Sequence, residues 1–82
     1  MLKEEAFRQN IAEIANRIRR SEVTTTKPVK ELMQAAQDLG ILGENKGLEN
    51  RFLDLISEIQ REDKVNYERV ASRVEKLADY VD

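Results

Sequence analysis

An all-α fold, a small antiparallel bundle of about four helices, is what this sequence predicts. Four stretches carry apolar residues at alternating steps of three and four, the spacing of one helix face. The connections between them are short, as between antiparallel neighbours. Each boundary also carries a residue with a mechanical reason to stop or start a helix: Pro28, Gly40 and Asn66.

The first helix is predicted over about 2–22. Phe7, Ile11, Ile14 and Ile18 form its seam, and Ala6, Ala12 and Ala15 are strong helix formers. Glu4 with Arg8 and Glu13 with Arg17 are oriented as i,i+4 pairs, and Arg17, Arg19 and Arg20 crowd the last turns, where the helix dipole favours cations. The β-branched run Val23-Thr24-Thr25-Thr26 and Pro28 end it.

The second helix, about 27–39, has Thr26 as its expected N-cap and Pro28 in a first turn that tolerates a missing N–H. Val29, Leu32, Ala36 and Leu39 make its seam, with Met33 beside them. Gly40 is placed as the left-handed residue that closes the helix, with Ile41 folding back onto it. The third helix, about 46–61, steps through Leu48, Phe52, Leu55 and Ile59, broadened by Leu53 and Ile56, and its apolar content marks it as the central one. The fourth, about 66–81, starts at an Asn66 N-cap with Glu68 in the positive first turn and a Val65–Val70 hydrophobic staple. Tyr67, Val70, Val74, Leu77 and Val81 carry its seam onward.

The 82 residues make one domain, 1–82, with no room for a second core. A first helix of about 30 Å beside a second of about 18 Å leaves part of the isoleucine seam uncovered, which two copies would cover mutually, so self-association is expected. No cysteine or histidine is present. That removes thiol chemistry, thiolate metal sites and imidazole bases, and it points to a reducing compartment. No apolar run approaches the roughly 18 residues that span a bilayer, and the N-terminal residues lack a signal peptide's apolar stretch, so the expected location is cytoplasmic.

Lys and Arg number 14 against 16 Asp and Glu. Residues 1–27 hold six basic and four acidic side chains, and the remainder eight and twelve, a mild asymmetry rather than a polyanion-binding footprint. For catalysis there is no positioned base beside Ser21, Ser57 or Ser72. Glu58 and Glu62, one turn apart on one face, lack the histidine partners of a di-metal bundle site. No calcium loop or phosphate-cradling glycine loop is found either. No enzyme activity, metal or cofactor is expected.

Three features bear on binding. Gln34–Ile41 resembles the first half of the helix-turn-helix of phage repressors, with Ala36, Gly40 and Ile41 at its alanine, glycine and apolar positions. The resemblance implies a DNA-binding regulator, but where a recognition helix should begin the chain has Leu42-Gly43-Glu44-Asn45-Lys46-Gly47. Arg69, Arg73 and Lys76 share a face of the fourth helix, beside Glu68, Glu75 and Asp79. They are either phosphate contacts or part of a solvated face of mixed charge. Phe7, Ile11, Ile14 and Ile18 are either ordinary core or an interface for another helix. The function expected is a small, homodimeric regulatory or adaptor protein acting through protein–protein contacts on that first-helix face. The alternative is a DNA-binding regulator. The partner is another protein or a second copy, with no membrane and no small-molecule substrate.

Overall fold

The computed structural model describes residues 2–22, 26–61 and 66–81. Four helices pack against one another: α1 (Lys3–Ser21), α2 (Thr26–Asp38), α3 (Lys46–Arg61) and α4 (Tyr67–Lys76). A single 3-10 turn, Leu42–Glu44, joins α2 to α3, and another, Leu77–Tyr80, continues α4. There is no strand among the described residues.

Local chemistry accounts for the ends. α1 stops with Glu22 in the left-handed region, φ 53°, its N–H bonded to the Ile18 carbonyl. α2 begins one residue earlier than predicted, taking Thr26 into its first turn rather than leaving it as the cap. At its far end Gly40, φ 75°, sends its N–H to Gln37, while Ile41 sends its own to Ala36 and buries its side chain. This is the left-handed closure expected of that glycine. Asn45 caps α3: its side-chain oxygen accepts from Leu48 N at 3.0 Å. Asn66 caps α4, accepting from Glu68 N at 2.8 Å and Arg69 N at 3.3 Å. Val65 of the expected staple lies outside the described residues, as do Val23–Thr25 and Glu62. α4 gives way to the 3-10 turn earlier than expected, but Leu77 and Val81 keep their places in the core.

All four seams converge on one core. Phe7 and Phe52 are fully buried and meet with ring centroids 6.3 Å apart at 54°, a favourable tilted geometry that links α1 with α3 across the bundle. α1, not α3, is the central helix, packing along α4, against α2 and against the C-terminal turn. Arg8 near its start donates to the Val81 carbonyl at 2.5 Å, and Arg19 near its end reaches Glu68 at the start of α4, so α1 and α4 run antiparallel. The two ion pairs expected within α1 yield to pairing between elements, since Arg17 bonds Glu31 of α2. Leu53, expected to broaden the α3 seam, is 48% exposed.

Candidate binding groove between α3 and α4

The face proposed from the sequence as an interface is core. Phe7, Ile11, Ile14 and Ile18 are 0%, 3%, 8% and 2% exposed within a single chain. The length mismatch between α1 and α2 leaves nothing uncovered, because α4 and the turn after it lie along the rest of α1. Those four residues therefore offer no surface to a partner, and the geometric reason for expecting a dimer goes with them.

The helix-turn-helix resemblance also ends at Gly40. The residues that would open a recognition helix form a 3-10 turn followed by the Asn45 cap, and α3 starts only at Lys46. Lys46 stands where a recognition helix should carry an apolar anchor, and its ammonium is exposed, 3.7 Å from Glu49.

α4 distributes its charges to two neighbours. On the edge towards α1, Glu68 and Glu75 both accept from Arg19, at 3.1 and 2.6 Å. The hydrogen bond from Arg19 holds the Glu75 carboxyl below the ordinary carboxylate range, and the two carboxylates raise the affinity of Arg19 for its proton. Glu31 is lowered in the same way by Arg17. On the edge towards α3, Arg69 and Arg73 close on one buried carboxylate. Glu58 is 9% exposed; Arg69 Nη2 lies 3.1 Å from its Oε1, and Arg73 pairs with its Oε2. A buried charge of this kind requires such partners, since desolvation without them costs several kcal/mol. Arg19 of α1 thus meets the acidic edge of α4 and Arg17 turns to α2, so the two basic clusters do not merge into one phosphate-binding surface. Arg69 and Arg73 keep side-chain exposures of 60% and 42%, while Lys76, also exposed, makes no ion pair among the described residues.

α3 and α4 stand further apart than α1 and α4 or α2 and α3. Arg51, Asp54, Glu58 and Arg61 step along α3 by three, four and three residues, beside its apolar seam, and line the resulting groove. Arg73, Lys76 and Tyr80 line the opposite wall, with Leu55 and Leu77 between. Towards the C-terminus the groove deepens into a hollow of about 350 Å³, at the small end of ligand-sized cavities. That end is held in shape by polar contacts to Tyr80. Asn45 Nδ2 donates to its carbonyl and Arg51 Nε donates to its hydroxyl, both at 2.5 Å. The sequence does not single out Arg51, Asp54 or Tyr80, and it offers Glu58 only as a carboxylate beside Glu62. The signal was a polar stripe on α3 with the same spacing as the apolar one.

The groove carries Arg51, Arg61, Arg69, Arg73 and Lys76 against Asp54, Glu58 and Asp79, an excess of two positive charges. The whole chain is −2, so everything else sums to −4. Among the described residues no group of three or more acidic, His or Cys side chains is placed to hold a metal, and no helix is long and apolar enough to cross a membrane. Comparison with known protein families, with curated proteins and with solved structures finds no match to this chain.

Proposed function

We propose that this chain is a non-enzymatic protein–protein interaction module, a small regulatory or adaptor protein, that receives a segment of its partner in the groove between α3 and α4. The observation that carries the reading is the hollow beside Tyr80. It combines an apolar floor, Leu55 and Leu77, with charged walls of both signs, and its shape is held by Asn45 and Arg51. Apolar anchoring at the centre with charged groups around it is how peptide-binding surfaces gain affinity and register. The core is already closed within one chain, so a second copy is not needed to cover α1.

Duplex DNA on Arg69, Arg73 and Lys76 is the alternative. The excess of positive charge favours it, and Asp54, Glu58 and Asp79 on the same groove oppose it. Isotope-labelled protein titrated with an acidic amphipathic peptide, a basic amphipathic peptide and a mixed-sequence duplex separates the two by NMR. Saturable shifts at the Arg51, Arg73, Lys76 and Tyr80 amides are expected with one of the peptides at physiological salt. Shifts from the duplex alone, fading steeply with salt, or none from any of the three, would overturn the interaction reading.

A further inference from the structure

Resting on that reading of the groove, we infer that its occupant is an acidic amphipathic segment of another protein, with one apolar side chain seated in the hollow and carboxylates on either side of it. The apolar part of the inference comes from the floor. Leu55 and Leu77 are 4% and 3% exposed and still line the hollow, and the Tyr80 ring forms its end wall. A hollow of about 350 Å³ with that floor has room for at least one large aliphatic or aromatic side chain.

The acidic part comes from charge. Three cations, Arg51, Arg73 and Lys76, line the hollow against two carboxylates, Asp54 and Asp79. Each cation is poised differently. Lys76 has no ion-pair partner among the described residues, Arg51 spends one N–H on the Tyr80 hydroxyl, and Arg73 leaves part of its guanidinium exposed while it pairs with Glu58. Guanidinium groups in this condition keep donors for a bidentate carboxylate from outside. Glu58 itself demonstrates the recognition: a carboxylate on a helix, lying in this groove, taken by two arginines of α4. A partner's carboxylates meet the same wall one turn further on. The groove carries an excess of two positive charges in a chain that sums to −2, which favours such a segment here. The other basic cluster, Arg17, Arg19 and Arg20 on α1, has Arg17 and Arg19 already paired with Glu31, Glu68 and Glu75. Duplex DNA would present phosphates with its bases stacked inside the helix, so it offers no apolar side group to the floor.

The test is fluorescence anisotropy with three labelled peptides of equal length: Asp and Glu flanking one Phe, Lys flanking one Phe, and Asp and Glu flanking Ala. The acidic Phe peptide is expected to bind, the other two at least about fivefold more weakly, and Lys76→Glu to weaken it by about fivefold. Asp79→Lys, which adds a cation to the rim, is expected to tighten it by a similar factor. Both substituted side chains are exposed and contribute nothing to the core. Equal binding of the acidic and lysine peptides, or of the Phe and Ala peptides, overturns the inference. So does an affinity for the acidic peptide that neither substitution moves. Binding of the lysine peptide alone, with its shifts in this groove, overturns the inference while leaving the interaction reading standing; binding of none of the three sinks both.

Discussion

α4 faces two neighbours, and the two interfaces are built in opposite ways. Towards α1 the seam is closed. Val70, Ala71 and Val74 are buried, and the charged rim of Arg19, Glu68 and Glu75 stays in water. Towards α3 the backbones stand further apart, the charge is inside as Glu58, and an open groove remains. An apolar seam with a wet charged rim gains from burial and asks little of its ion pairs. A buried carboxylate asks for permanent partners, and the arginines that supply them hold α3 and α4 in register while leaving the groove open. The closed seam of the molecule and its open groove are thus the two sides of one short helix.

The largest effect is expected where the closed side is broken. Ile14→Glu places a carboxylate in the α1 seam at a position 8% exposed. Arg17, Arg19 and Arg20 line the surface hollow beside it, but Arg17 and Arg19 are engaged with other carboxylates. The cost is about 4 kcal/mol, most of it the lost isoleucine burial and the desolvation of the new carboxylate, comparable to the whole stability of a domain this size. Loss of cooperative unfolding, followed by circular dichroism against urea, is the expected outcome. A folded variant with an altered oligomeric state would instead restore the first-helix seam as an interface.

On the groove side the expected effects are asymmetric. Replacing Arg69 and Arg73 together by Met leaves the Glu58 carboxylate buried without a partner, at a cost of about 3 kcal/mol. Glu58→Gln leaves two arginines that are already half in water, so it costs under about 1 kcal/mol. Urea titrations of both variants check the ratio. Equal costs would mean that Glu58 is better hydrated than its 9% exposure implies. Asn45→Ala is expected to fall between them, at about 1 kcal/mol for the lost α3 cap, with faster hydrogen exchange at Leu77–Val81 because its bond to the Tyr80 carbonyl goes as well.

The helices and their caps were legible in the sequence; which faces they turn to one another was not. Seam spacing gave α1, α2 and α3 within a residue or so of their ends, and Gly40 and Asn66 declared their caps, because those signals act through neighbours three or four residues away. The partners of α4 are 11 to 56 residues distant, and nothing local says that Glu58 pairs with Arg69 and Arg73 rather than with water. Geometry held part of the answer: at 100° per residue, Glu68 and Glu75 lie on one edge of α4 and Arg69, Arg73 and Lys76 on another. What helix periodicity could not supply was which neighbour each edge meets. The isoleucine seam failed for a related reason. Comparing the lengths of α1 and α2 alone overlooked the C-terminal turn, which extends the cover that α4 gives to α1.

The smallest effect lies in the wet rim of the closed side, and its pH dependence identifies it. Glu75 holds its charge in the folded chain to lower pH than in the unfolded chain, because Arg19 bonds to it, and it remains about half exposed. A carboxyl lowered by folding adds stability that is fully present above its unfolded pKa, near 4.5, and lost as pH falls through the lower folded value. Glu75→Gln removes that contribution, so the variant melts slightly below the parent at pH 7, and the gap closes as the pH is taken towards 3. Salt closes it too, since the pair is exposed. The deficit of the Arg69/Arg73 double variant, which comes from a buried carboxylate, persists in the same high salt. Thermal melts of both variants across salt concentration therefore set the two sides of α4 apart by their response. A Glu75→Gln gap that grew at low pH would reverse the sign assigned to Arg19.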